Sequence, residues 1–249
     1  YRKYRASIKT NRIMKYMGSK NRIAKHLLPI MLENRNGRTW VEPFVGGANM
    51  IDKVEGKRIG ADFNEYLIEA LKLIRDEPNN IPDLITEGDY QELKDKKELN
   101  GITGFTGFAM SFGGKWFGGY RRDVAGTKGC IDNMKTQTRR SKQNAIKQSD
   151  KLQGVDFIHS SYHNLEIPTN SLIYCDPPYE GTTKYKDGFS HNEFWEWCRT
   201  KTKEGHQVFV SEYNAPSDFK SIYSKEVNSS LTKDTGSKKA NEQLFIYCK

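Results

Sequence analysis

Asp176-Pro177-Pro178-Tyr179 follows directly on the apolar run Leu172-Ile173-Tyr174-Cys175. A carboxylate, two rigid prolines and an aromatic ring at a strand's end suit a flat base that carries an exocyclic amine. Asp176 can accept one N–H of that amine, the Pro177 carbonyl can accept the other, and Tyr179 can stack on the ring. Two such acceptors pull the nitrogen out of conjugation and concentrate its lone pair, so a poor nucleophile becomes usable. Methyl transfer to adenine N6 or cytosine N4 requires that change. The same four residues also suit a plain turn, because Pro and Asp favour turns on steric grounds. The motif therefore takes its meaning from its context.

That context is an alternation of strands and helices. The pattern predicts a helix over Lys20 to Asn34, with Ile23, Leu27, Ile30 and Met31 at helical spacing. A short strand over Arg38–Glu42 runs into the tight loop Pro43-Phe44-Val45-Gly46-Gly47-Ala48-Asn49. A second strand, Arg58–Ala61, ends at Asp62, and a helix capped by Asn64 carries Leu67, Ile68, Leu71 and Ile74. Further strands are expected at Val155–His159, Ser171–Cys175, Gln207–Ser211 and Glu242–Lys249, with a helix starting at Phe194. Such alternation argues for an α/β fold with a mostly parallel, doubly wound sheet.

In such a sheet, ligands gather beyond the carboxyl ends of the strands. Three features fall there: the Phe44–Asn49 loop, Asp62 and Asp176. Gly46 and Gly47 allow a tight turn and a close approach to a ligand, and an acid ending the next strand suits ribose hydroxyls. The full G-x-G-x-x-G and G-x-x-x-x-G-K-[ST] phosphate loops are absent, so a nucleoside without phosphates is expected. S-adenosylmethionine is one.

The net charge of +9 is unevenly spread. Residues 1–25 hold nine Lys/Arg and no acid, and residues 111–153 hold ten Lys/Arg against three Asp, leaving the remainder of the chain at −7. Two cationic stretches on an acidic body point to a polyanionic partner, such as nucleic acid. No apolar run is long enough to span a bilayer and the N-terminal residues lack a signal-peptide pattern. Four scattered cysteines form no CxxC pair, so a reducing cytoplasm is expected. His159 and His163 have H-x3-H spacing without a second ligand pair, so no metal is expected.

Gly101 to Gly129 is rich in glycine and aromatics, and Ile131 to Leu152 is polar and basic. Neither shows a sustained core period, so residues 101–153 are expected to be an insert between two catalytic segments, 1–100 and 154–249. Arg121, Arg122, Arg139 and Arg140 are its candidate DNA contacts. The aromatics from Phe112 to Tyr120 are candidates to fill the space left by a flipped base.

Four blocks in order carry a family resemblance: Lys15-Tyr16-Met17-Gly18-Ser19-Lys20, Glu42-Pro43-Phe44-Val45-Gly46-Gly47, Ala61-Asp62-Phe63-Asn64 and Asp176-Pro177-Pro178-Tyr179. With them the chain resembles the Dam-like DNA N6-adenine methyltransferases of the D12 class, alpha group. The resemblance implies a Rossmann-like methyltransferase sheet that uses S-adenosylmethionine. It also implies a mainly helical and loop target-recognition insert, and a base-flipping reaction on adenine in double-stranded DNA. Tyr16 and Lys20 would line the cofactor site, Lys20 at the methionine carboxylate. Phe44 and Gly46 would shape the pocket, Asp62 would hold the ribose, and Asp156 and Phe157 would flank the cofactor's adenine. Asp176 would border that site as well as carry the clamp. The chain departs from the family at Ala48, where glycine is usual, and between Phe108 and Tyr120, so no base-reading role is carried over. A monomer in the cytoplasm of a bacterial or phage-infected cell, associated with the nucleoid and serving restriction-modification, completes the expectation. Cytosine-N4 or RNA adenine methylation uses the same clamp. A non-catalytic DNA-binding relative is the alternative of another class.

Overall fold

The computed structural model describes residues 14–122, 131–179, 189–229 and 238–248. The basic residues of the first thirteen positions and Lys128 lie outside them. In chain order the elements are α1 (Ala24–Leu32), β1 (Trp40–Glu42), β2 (Arg58–Asp62), α2 (Glu65–Asp76), α3 (Glu87–Lys96), α4 (Gly101–Ala109) and α5 (Ile131–Leu152). There follow β3 (Val155–His159), β4 (Leu172–Cys175), α6 (His191–Lys203), β5 (Gln207–Glu212), β6 (Phe219–Ser229) and β7 (Lys238–Tyr247).

The strands form one seven-stranded sheet in the order β3-β2-β1-β4-β5-β7-β6. The first five lie parallel, while β7 runs antiparallel to β5 and to β6. Strand side chains alternate between faces, and both faces are covered. Trp40, Leu172, Tyr174 and Phe209 point to one side, where they join Leu27, Leu67, Leu71, Ile74 and Phe105. Val41, Ile173, Cys175, Val208 and Val210 point to the other, against Phe194, Trp197 and Cys198 of α6. Local signals start the helices: the Leu67 amide donates to the Asn64 side chain at 3.1 Å. At α6 the Glu193 amide donates to Ser190 Oγ at 3.3 Å.

The expected first helix is split into a short 3-10 turn, Lys20–Arg22, and α1. Strand β6 was not expected from sequence.

The described residues of 101–153 share the core of the sheet. Phe105, Phe108, Phe117, Ala145 and Leu152 belong to the same buried cluster as Leu71 and Ile74. The missing core period has a physical cause in α4. Gly101, Gly104 and Gly107 recur every third residue and form a helix face without side chains. A methyl group on Gly104 would meet the Tyr66 carbonyl oxygen at 2.0 Å, and one on Gly107 would meet the Trp116 ring at 2.2 Å. Here the glycines let helix α2 and an indole approach the backbone; they are packing residues, not loop punctuation.

Candidate active site

The parallel register brings the carboxyl ends of β1, β2 and β4 together. Val41 lies beside Ile173 of β4 and Ile59 of β2, so the residues that follow each strand open on one edge of the sheet. The chain before Lys20 crosses this edge. The Met17 amide donates to the Gly114 carbonyl at 3.3 Å. The Met14 amide donates to Gln148 Oε1 at 3.1 Å, and Gln148 Nε2 donates to the Gly47 carbonyl at 3.1 Å.

Tyr16 is thereby pressed against the glycine loop. A Cβ on Gly46 would stand 2.9 Å from the Tyr16 ring, and one on Gly47 would stand 2.7 Å from Tyr16 Cβ. Gly46 and Ala48 both have left-handed backbone, with φ of 50° and 55°. The alanine that departs from the family pattern therefore occupies a position that favours glycine. Phe44, half-buried, packs on Tyr162 with ring centroids 5.3 Å apart.

Asp62 closes β2 with its carboxylate fixed by two backbone donors. Gly46 N donates to Oδ2 at 3.2 Å and Asn64 N donates to Oδ1 at 3.0 Å. Burial outweighs those donors and pushes its pKa up to about 6. Beside it Phe63 is 65% exposed, an uncommon amount of bare aromatic surface next to a half-buried acid.

At the end of β4, Asp176 Oδ1 lies 2.9 Å from Lys20 Nζ, an ion pair lying off the angle of a good hydrogen bond. The same ammonium lies 3.6 Å from Glu242 Oε1 and 4.4 Å from the centre of the Tyr179 ring. The Tyr179 hydroxyl donates to Glu242 Oε1. The Tyr179 ring meets Tyr213 edge to face, with centroids 4.6 Å apart. Burial raises the Asp176 carboxyl, with Lys20 opposing it; burial likewise raises Glu242, against Lys20 and reinforced by Asp176. For Lys20 burial acts to lower the pKa, but the two acids outweigh it and the ammonium holds its proton more tightly than usual. Behind the clamp, Glu42 accepts from Trp40 Nε1 at 2.7 Å, and burial drives its carboxyl well above the usual range.

The expected site residues are placed as follows. Lys20, expected at a cofactor carboxylate, is held by Asp176 and Glu242. Asp156 and Phe157 are not at the carboxyl end of β3. Asp156 lies beside Ile59 and Phe157 beside Gly60, whereas His159 is level with Asp62. Phe157 is packed inward under Arg75, and Asp156 is exposed on the sheet's edge strand. The residues that do reach the site are Ser160, whose amide donates to the Asp62 carbonyl at 3.1 Å, and Tyr162 beyond it.

Among the candidate DNA contacts, Arg139 and Arg140 lie on the exposed face of α5 with Lys135 and Lys147. Arg121 is tied to that helix instead, donating to Gln137 Oε1 at 3.4 Å and to Ser141 Oγ at 3.2 Å. Arg122 is paired with Glu87. Phe112 is 72% exposed on the glycine turn that touches Tyr16 through Gly114.

Tyr213 and Glu242 were missed. Tyr213 had a signal, being an aromatic directly after a parallel strand. Glu242 had none, because only the antiparallel direction of β7 brings its N-terminal half to the carboxyl ends of the parallel strands. Among the described residues no cluster of metal ligands occurs. No helix there is long and apolar enough to cross a membrane.

A sheet of this order, with a glycine loop, an acid ending β2 and Asp-Pro-Pro-Tyr after β4, has the Rossmann-like architecture of methyltransferases. The model of the D12 class N6 adenine-specific DNA methyltransferases matches residues 16–112 and 118–242, and the chain belongs to that family. Comparison with curated proteins gave no match. Among solved structures, SMU.472 complexed with SAH is similar at 11% identity and a TM-score of 0.37, over 97% of this chain. The chain spans 56% of the length of that structure, and a likeness of this degree carries no argument.

Proposed function

We propose that this protein transfers a methyl group from S-adenosylmethionine to N6 of an adenine turned out of duplex DNA. The observation that carries the reading is the juxtaposition of Asp176 with the Tyr179 ring, beside a glycine loop and a ribose-type acid, in a chain of the D12 family.

The residues present fit the cofactor. Gly46 and Gly47 have no room for side chains beside Tyr16. Asp62 offers carboxylate oxygens to ribose hydroxyls, and the exposed Phe63 ring beside it offers a face to the cofactor's adenine. Tyr16, Phe44 and Gly46 would shape the wall. When bound, S-adenosylmethionine supplies an electrophilic methyl group on a positively charged sulfur with a neutral leaving group.

The protein's own contribution is alignment and charge. Extruding adenine costs a few kcal/mol of stacking and pairing, which contacts made only by the flipped base offset. Asp176 and the Pro177 carbonyl would accept the two N6 hydrogens, with Pro178 keeping the turn rigid and Tyr179 stacking on the ring. That geometry aims the lone pair at the methyl carbon and stabilises positive charge growing on N6. Asp176 acts as an acceptor and not as a strong base, since the proton can leave after transfer. Arg139 and Arg140 would bind phosphates. Phe112, on a turn beside Tyr16, would occupy the gap left in the stack.

Purified protein incubated with unmethylated DNA and labelled cofactor, followed by mass spectrometry of the nucleosides, tests the reading. N6-methyladenine is expected. N4-methylcytosine, or methylation of RNA alone, reassigns the substrate, and no transfer at all refutes the activity.

A further inference from the structure

Two carboxylates in the site share one ammonium, and the second of them belongs to no sequence block of the family resemblance. Glu242 is 5% exposed, accepts the Tyr179 hydroxyl, and stands 3.6 Å from the Lys20 ammonium that Asp176 holds at 2.9 Å. A buried acid in that position would be costly unless both neighbours satisfied it.

We propose that Glu242 is a positioning residue of the methyl-transfer site: it fixes the Tyr179 ring through its hydroxyl, and it takes Lys20 over from Asp176 when the target amine arrives. The inference rests on the activity proposed above. Asp176 cannot give its full strength as an acceptor to an N6 hydrogen while an ammonium is paired with it. Among the described residues, the other anion at that ammonium is Glu242. Moving from one to the other is a short step, because Nζ at 2.9 Å from Asp176 Oδ1 already stands 3.6 Å from Glu242 Oε1. Lys20 therefore need not leave the site.

Groups from several elements face Glu242. They are Lys20 from the turn before α1, Asp176 and Tyr179 after β4, and Tyr223 on β6. Lys225 is the cross-strand partner of Glu242 on β6 and Tyr174 lies nearby on β4, but among the described residues the ammonium recorded within ion-pair distance of Glu242 is that of Lys20. Removing the charge of Glu242 should therefore leave Lys20 bound to Asp176 alone and hold the clamp closed against substrate.

The test compares wild type, Glu242→Gln and Glu242→Asp, reading kcat and KM for DNA separately, thermal melting, and the acylation rate of Lys20 by mass spectrometry. Glu242→Gln keeps an acceptor for the Tyr179 hydroxyl and should melt close to wild type. Its kcat should fall at least tenfold with KM for DNA within threefold, and Lys20 should acylate at least threefold faster. Glu242→Asp, with the charge retained on a shorter arm, should recover part of the lost kcat and keep Lys20 protected. A Glu242→Gln protein with kcat within twofold of wild type and unchanged Lys20 acylation overturns the proposal. If that variant does not fold, Glu242→Asp decides: a kcat equal to wild type overturns it, and a loss of threefold or more with Lys20 protected supports it. Wild-type protein without methyl transfer sinks the parent activity itself. Active wild type with an unimpaired Glu242→Gln sinks only the role of Glu242.

Discussion

Gln148, on α5, donates to the carbonyl of Gly47 in the loop after β1, across 101 residues of chain, while its own carbonyl accepts the Met14 amide. One fully buried side-chain amide thus ties the glycine loop to the segment that carries Tyr16 and Lys20. Helix α5 lies in the stretch expected to read DNA, so a support of the glycine loop comes from that stretch. Gln148→Leu should leave a buried donor and a buried acceptor unpaired and cost about 1–3 kcal/mol for each in the worst case. Denaturant unfolding should show the loss, and calorimetry should show weaker cofactor binding than in wild type.

Helix packing around α4 can be tested at Gly104. Its added methyl would meet a backbone oxygen of α2 at 2.0 Å, and a backbone atom cannot step aside as a flexible side chain can. Gly104→Ala should lower stability by about 1–3 kcal/mol or more, the range for overpacked cores. The intrinsic helix preference of Ala over Gly, about 1 kcal/mol in the other direction, is too small to rescue it. A midpoint equal to or above wild type would contradict the crossing.

Asp176→Asn keeps the size of the side chain but puts an amide where an acceptor carboxylate is needed. Turnover should fall by about two to three orders of magnitude, as for removal of one charge-stabilising group. Cofactor affinity, read separately by calorimetry, should stay within a few-fold. Near-normal turnover would refute the clamp.

The carboxyl of Asp62 is raised to about 6 by burial. Ribose hydroxyls donate to the ionised form, so the bound state should have the lower pKa and hold fewer protons. Cofactor affinity should therefore rise as pH increases through about 6 and fall below it. Binding isotherms across about pH 5 to 8 measure this, and Asp62→Asn should bind weakly with the pH dependence removed. The same raised pKa makes the folded state hold this proton more tightly than the unfolded chain, so its contribution to stability is present below the unfolded value and lost as pH rises through about 6.

The side chains of Arg139 and Arg140 are exposed on α5, while Arg121 bonds to Ser141 and Arg122 pairs with Glu87. Replacing Arg139 and Arg140 by Ala should reduce the salt slope of DNA binding by about 0.9 for each phosphate left without its cation. Replacing Arg121 should instead lower stability, with the slope changed less. Equal slopes for wild type and the double variant would move the DNA path off this face.

Local patterns in the chain determined the Asp-Pro-Pro-Tyr turn, the glycine loop, the acid that ends β2 and the alternation that makes a parallel sheet. Each is written within a few neighbouring residues: a strand's apolar run, a turn residue, a cap such as Asn64. The tertiary structure alone decided which charges meet. Lys20 finds Asp176 and Glu242 through the packing of distant segments, and β7 delivers Glu242 because it runs against its neighbours. Register alone set Asp156 level with Ile59, short of the strand's carboxyl end, since a strand's pairing, not its composition, sets how far along the sheet a residue stands. The glycines of α4 show the same limit. Gly carries no apolar signal of its own, and its use as a packing face exists only once Tyr66 and Trp116 lie against it.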